Sequence, residues 1–349
     1  MSVTDTHARA RLCDVAEQAG VSSATASRVL TGSAGVRPET RRVVEEVMAR
    51  LGYVRNRAAH SARRHTGSAA FVVCEDSSRV FSEPFFQLIL RSGSRELLSQ
   101  GIQPVLLTAH SPRDQQIASR YLRSGHVDGA VLVSVHGQRP LDIAGLDVPV
   151  VLAGRPFCDD AGLSYVDADN VGGAKMAVRY LLERGRRTVA TVAGPADMSP
   201  GVDRLRGYRM TMADAGLSDP GLIMFGDFGR FSAEHAVYRL LDRRPDLDAV
   251  FAASELMAAG VLRALRMSGR RVPDDVAVIG FEDSPLARHT NPKLTAVRQP
   301  VEAMGERLAG ELLALIARGG REPVQVMLKT DLLIRESALR LRRRGRLAG

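Results

Sequence analysis

Asp14-Val15-Ala16-Glu17-Gln18-Ala19-Gly20-Val21-Ser22-Ser23-Ala24-Thr25-Ala26-Ser27-Arg28-Val29-Leu30 is the stretch that decides how this 349-residue chain is read. Leu12, Val15, Ala16 and Ala19 recur at helical spacing, and Gly20 supplies the left-handed backbone that ends a helix at low cost. Val21 turns inward, and the Ser22 hydroxyl is placed to cap a second helix. Ser23, Ala24, Ser27 and Arg28 then fall near the start of that helix, where a recognition helix meets base edges in a major groove. Arginine can donate twice to guanine, hydroxyls can reach phosphate, and an alanine methyl can touch thymine. The bland alternative is an ordinary pair of small helices.

Working outward, Arg37-Pro38 puts proline where the first turn of a helix needs no N–H, and Val43, Val44, Val47, Met48 and Leu51 form one apolar stripe. Three helices therefore close one small core. The next segment, from Gly52 to Arg64, is basic and has no apolar face, so it is either a plain linker or a segment that becomes helical only on DNA.

Asp-Val-Ala-x-x-Ala-Gly-Val-Ser, Ala-Thr-x-Ser-Arg-Val-Leu and Leu-Gly-Tyr-x-x-Asn together resemble the headpiece of LacI-type transcriptional regulators, and the similarity runs to about residue 338. The resemblance implies that Ser23 and Ala24 read bases and that Arg28 makes the arginine contact. It also implies that Ser22, Thr25, Ser27 and Asn56 hold phosphates, with Tyr53 and Arg57 in the DNA-contacting set. Three positions depart from the pattern. Arg11 stands where a capping hydroxyl is usual, which removes about 1 kcal/mol of helix stability. Ala26 replaces a valine, and Ala62 falls where a leucine wedges between base pairs. The expectation is weaker kinking of the operator, or minor-groove contact by Arg57, Arg63 and Arg64 instead.

Charge supports the division. Residues 1–65 carry 11 arginines against 6 acids, residues 335–349 carry 6 against 1, and the rest is close to neutral, so the formal +9 belongs to the two ends. Hydrophobic residues make up 45% of the chain, enough to fill real cores. Cys13, Cys74 and Cys158 are far apart with no metal spacing, and no secretory signal precedes them, so a cytoplasmic protein is expected. No apolar run reaches membrane-spanning length.

From Ser68 onward short apolar runs alternate with amphipathic stretches, as in a parallel sheet wrapped by helices. Expected strands are Ala69–Cys74, Val105–Thr108, Gly129–Ser134, Val148–Ala153, Thr188–Ala193, Ala249–Ala253 and Val276–Phe281. Expected helices include Phe85–Gln100, Gly172–Arg184, Arg204–Ala215, Ala233–Asp242 and Leu256–Ser268. That is too many strands for one sheet, so the fold class is α/β: an all-α helix-turn-helix headpiece followed by two doubly wound parallel-sheet subdomains, with the change near Val166–Asn170. Domains are expected at 1–55 (headpiece), 56–67 (hinge) and 68–338, the last as two subdomains at about 68–167 with 296–321 and about 168–295 with 322–338. A basic tail follows at 339–349.

Ligands of open α/β sheets gather at the carboxyl ends of strands, so two facing sheets make a cleft. The family resemblance likens this part to a periplasmic sugar-binding protein, and it implies a small-molecule effector, a sugar or polyol. Arg155, Arg204, Glu282 and Gln299 are the expected hydroxyl partners, with Phe85 and Phe228 as stacking faces and Ser254 and Glu255 beside them. Phe85 has a packing alternative, and Gln299 one in satisfying hinge backbone. Arg204, read as the first residue of a helix, opposes the helix dipole and so calls for a partner in the cleft. Glu255 and Glu282 stand where shorter side chains are usual, which narrows the site.

No motif for an enzyme is present. Asp167-Ala168-Asp169-Asn170 lacks the later ligands of a calcium loop and reads as cap and hinge residues; the dispersed histidines, His136 among them, read as solvated surface. No cofactor and no metal are expected. The expected partners are double-stranded DNA as a palindromic operator, a sugar effector and a second copy of the chain, joined through 233–242 and 256–268, with repression relieved by ligand. The competing reading is a sugar- or nucleoside-binding protein whose head binds DNA only without specificity. Steep salt dependence of specific binding separates the two.

Overall fold

The computed structural model describes residues 12–30, 36–51, 66–137, 146, 148–157, 162–318 and 322–339. The chain divides into a unit at Met1–Arg64 and a second at His65–Gly349.

In the first unit α1 (Leu12–Gln18), α2 (Ser23–Leu30) and α3 (Pro38–Arg50) enclose Val15, Ala16, Ala26, Val29, Val44 and Val47, with Ala19, Val21, Met48 and Leu51 packed against them. Gly20 carries the left-handed φ of +63° that ends α1. Ser22 caps α2, its Oγ accepting from the Thr25 N–H at 3.2 Å. Val43, expected in the apolar stripe, is instead 41% exposed, because the stripe of α3 narrows to Val44, Val47, Met48 and Leu51. The linker and minor-groove expectations at Tyr53, Asn56, Arg57 and Ala62 lie outside the described residues, as does the tail from residue 340.

The second unit runs β1 (Ser68–Val73), α4 (Ser77–Ser82), α5 (Pro84–Ser99), β2 (Gln103–Thr108), α6 (Pro112–Arg123), β3 (Ala130–Val133), β4 (Val150–Ala153), β5 (Ser164–Ala168), α7 (Asn170–Glu183), β6 (Val189–Ala193), α8 (Ser199–Asp214), β7 (Ile223–Phe225), α9 (Arg230–Arg243), β8 (Ala249–Ala252), α10 (Glu255–Met267), β9 (Ala277–Glu282), α11 (Pro285–His289), β10 (Thr295–Arg298), α12 (Val301–Arg318), β11 (Gln325–Leu328) and β12 (Asp331–Leu333). Two six-stranded sheets result, in the orders β11-β5-β4-β3-β1-β2 and β12-β10-β9-β8-β6-β7. Every pairing is parallel except β10 with β12.

Central strands such as Ala130–Val133 and Ala249–Ala252 are buried along their whole length, as sheets covered by helices on both faces require. In the first lobe α5 and α12 cross closely. A Cβ on Gly305 would meet the Ser92 Oγ at 2.1 Å and the Ile89 carbonyl at 2.5 Å, so only glycine fits there.

The chain passes between lobes three times: after β5, after β10, and between β11 and β12. This corrects the expected segment limits. Thr295–Arg298 pairs with β9 in the second sheet, so residues 296–298 are not in the first lobe. Gln325–Leu328 pairs with β5, so the first lobe extends past 321. Helix α8 begins at Ser199 with Pro200 in its first turn, which places Arg204 in the second turn. Its need for a partner therefore comes from burial, not from the end of the helix dipole.

Candidate functional site

On the headpiece, Ser22, Ser23 and Arg28 are exposed and Thr25 is half-buried, its Oγ1 lying 2.9 Å from the Ser22 Oγ. The side chains of Ala24 and Ser27 lie outside the described set. Ala26 is fully buried in the small core, so the outer face of α2 is polar while its inner face packs.

The second candidate site is a cavity between the two lobes, lined from the carboxyl ends of strands in both sheets. Among the described residues, the non-glycine positions with positive φ are Ser134, Phe228, Glu282 and Asp283, all at or just beyond strand ends. Three of them, Ser134, Phe228 and Glu282, line this cavity. Local backbone strain of this kind concentrates at ligand sites, where surrounding structure over-determines it.

Arg204 is the anchor. It is 3% exposed; its Nε donates to the Asn170 Oδ1 at 2.9 Å, Nη1 to the Ala253 carbonyl at 2.5 Å, and Nη2 to the Gln299 Oε1 at 3.0 Å. The guanidinium lies 3.8 Å from the Phe281 ring centre and 5.6 Å from that of Phe228. Burial lowers its pKa to about 10, with Glu282 opposing, so it stays charged at neutral pH. Glu282 approaches it at 3.9 Å, and burial pushes that carboxyl up to about 8 against the pull of Arg204. Near neutrality Glu282 can therefore donate as well as accept.

Arg155 follows β4 in the first lobe and reaches Asp203 on α8 in the second. Its Nε and Nη2 donate to the two carboxylate oxygens at 2.7 Å each. The Ser199 hydroxyl donates to the Arg155 carbonyl at 2.5 Å, a second link across the cleft. A third is His136, whose Nδ1 lies 3.0 Å from Asp197 of the second lobe and whose Nε2 lies 3.5 Å from Glu75 of the first. Glu75 above all, with Asp197, raises the pKa of His136 against burial. The histidine is thus a half-buried bridge, not the solvated surface group expected from sequence. Glu75 and Glu83 also flank Arg79, at 2.9 and 2.7 Å.

Of the expected effector residues, Phe85, Arg155, Arg204, Phe228, Ser254, Glu282 and Gln299 all line the cavity. Ser254 is also the cap of α10, accepting from the Met257 N–H, and its hydroxyl donates to the Phe228 carbonyl at 2.7 Å. Glu255 is a correction. Its carboxylate accepts from the Ser284 N–H at 2.6 Å and from the Ser284 hydroxyl, and it does not line the cavity. The first residue of α10 points to the α11 side, and Leu256 takes the lining position. Sequence reasoning missed Asp167, Asp203, His136 and Asp197. Only Asp167 carried a signal, in the strand-end segment 166–170. Asp169 there caps α7, as expected, through the Gly172 N–H at 2.7 Å.

Cys74 is buried and its thiol pKa is pushed up to about 12, so it is an inert core group. Among the described residues no cluster of ligating side chains suits a metal ion, and no helix is long and apolar enough to cross a membrane.

Residues 11–56 match the model of bacterial regulatory proteins of the lacI family, and residues 178–338 match that of the periplasmic binding protein-like domain. The transcriptional regulator CelR of Thermobifida fusca is 46% identical over 330 residues, covering 93% of this chain and 96% of that protein. The ribose operon repressor of Escherichia coli K12 is 30% identical over 337 residues, covering 94% of this chain and all of that one. A solved complex of CelR with cellobiose has a TM-score of 0.76 at 45% identity, covering 94% of this chain and 100% of that one. The lac repressor dimer bound to operator and an anti-inducer shares the fold, with a TM-score of 0.70 at 24% identity over 95% of this chain and 100% of that one. Head, two-lobed cleft and kinship together make this chain a member of the LacI family of bacterial regulatory proteins, a DNA-binding transcriptional regulator with a periplasmic-binding-protein-like sensor.

Proposed function

We propose that the protein is a cytoplasmic homodimeric repressor that holds a palindromic operator through Ser23, Ala24 and Arg28, and that a neutral sugar in the cleft releases it. Cellobiose is the first effector to test, because the relative solved with it is 45% identical over nearly the whole chain. The observation that carries the reading is Arg204: a buried, charged guanidinium lining the cleft, 3.8 Å from the Phe281 ring centre and 5.6 Å from that of Phe228, beside the Glu282 carboxyl. That surface suits vicinal hydroxyls on one side of a pyranose and its C–H face on the other.

Dimerisation doubles a readout that one recognition helix makes too short. The segments expected to form the contact, 233–242 and 256–268, belong to α9 and α10, and beside them Phe231 is 69% and Phe225 54% exposed. Closure of the lobes on the sugar changes the arrangement of the paired heads by population shift.

Titration calorimetry with cellobiose tests the effector, and genomic footprinting tests the operator. A sugar present at a hundred times its dissociation constant adds about 2.7 kcal/mol to the folded state, which a melting curve reads directly. Absence of any protected sequence removes the repressor reading and leaves a sugar-binding protein with an unspecific head.

A further inference from the structure

Asp167, at the end of β5, is 2% exposed and lines the cleft cavity. Its Oδ1 accepts from the Ala168 N–H at 2.8 Å and from the Asn170 amide at 3.0 Å. Its Oδ2 is buried with no hydrogen-bond partner. Burial raises its pKa, and the Ala168 amide, then the Arg155 amide and the charge of Arg204, only partly offset this.

The neighbouring acids make the contrast plain. Glu75 and Glu83 share Arg79, Asp203 is held by Arg155, Asp197 faces His136, and Glu282 lies beside Arg204. None of these cations forms an ion pair with Asp167. A buried carboxylate oxygen left unmatched costs free energy, and a group that completes it recovers that cost on binding.

We infer that Asp167 is a specificity-determining residue of the effector site, its Oδ2 accepting a hydrogen bond from a hydroxyl of the bound ligand. The inference rests on the sugar-effector reading and deepens it: the ligand must place a donor at this depth of the cleft. A neutral hydroxyl suits this place: the lining arginines Arg79, Arg155 and Arg204 already lie beside Glu75, Glu83, Asp203 and Glu282, so the one unmatched group is a single acceptor oxygen that one donor completes. An analogue lacking that one hydroxyl leaves the oxygen unmatched again and is rejected far more strongly than its size alone predicts.

The test is Asp167→Asn in the full-length protein. Asparagine keeps the acceptor for Ala168 and Asn170 and puts an N–H donor where Oδ2 stood. Wild type and variant are screened by thermal shift against neutral sugars, cellobiose first, and against spermidine, and any binder is then titrated calorimetrically. The expected result is a loss of about ten- to a hundredfold in sugar affinity, with the melting temperature of the ligand-free protein unchanged or raised. Equal affinity in the two proteins overturns the assignment and leaves the effector reading standing. A variant that loses affinity but melts several degrees lower without ligand marks Asp167 as structural and overturns it too. Wild type responding to spermidine but to no neutral sugar overturns it by chemistry. Wild type responding to nothing overturns both the assignment and the sugar reading.

Discussion

Arg155 and Asp203 sit on opposite lobes and are joined by two parallel hydrogen bonds of 2.7 Å. This fork is a bidentate tie across the cleft, and its planarity is something lysine cannot reproduce. A double-mutant cycle on Arg155→Lys and Asp203→Asn should return a coupling of roughly 1–3 kcal/mol. Small-angle scattering of either single variant should show a more open sensor. An additive cycle with unchanged scattering would make the pair incidental.

His136 gives the closed arrangement a pH dependence. Glu75 shares its lobe and raises its pKa whether the cleft is open or closed, whereas Asp197 of the second lobe adds to that rise only when the lobes meet. The extra stability of closure is therefore fully present below the open-state pKa and is lost as pH rises through the higher closed-state one. Protection factors, the exchange rates corrected for their intrinsic pH dependence, should rise at the His136 and Asp197 segments as pH falls from about 8.5 to about 6. In His136→Phe the slope should vanish while the fold persists. A wild-type profile with the opposite sign would contradict the bridge.

Arg204→Ala leaves the Asn170 Oδ1, the Ala253 carbonyl and the Gln299 Oε1 without their donor, and Glu282 without its cation. Stability of the sensor should fall by about 3–5 kcal/mol, the cost of removing one partner from a buried charged network. Sugar response should disappear, while an intact headpiece still binds DNA. Melting curves and calorimetry on the same preparation check both halves.

On the headpiece, Ser22→Ala should destabilise the three-helix unit by about 1 kcal/mol through loss of the α2 cap. Arg28→Ala, at an exposed position of α2, should weaken specific operator binding by roughly 1–3 kcal/mol and flatten discrimination at one base position. Competition against sequence-scrambled duplex separates the two effects.

Much of this was legible because it is local. Gly20 and Ser22 signal the turn and cap by residue type alone, and apolar runs such as Val131–Val133 mark buried strands. Helix α6 escaped because Pro112–Arg123 is mostly polar, although Ser111 and Asp114 form a full capping box there. The cleft was read less evenly. Arg204 and Phe228 were found on the family pattern. Glu255 was misplaced, because a carboxylate on the first turn of a helix can face either Ser284 or the cavity, and only packing decides. His136 and Asp197 are 61 residues apart and meet only through the crossing of two lobes, which no spacing rule reveals. Asp167 stood in plain view within the expected hinge segment, but the burial that makes it consequential is a tertiary property.

The most direct test of the account is fluorescence anisotropy of the wild-type protein on a footprinted operator duplex, at fixed salt, with and without saturating cellobiose. The account predicts a clear drop in operator affinity with sugar, a drop that Arg204→Ala abolishes. Identical operator affinity in the presence and absence of a sugar shown by calorimetry to be bound would contradict it.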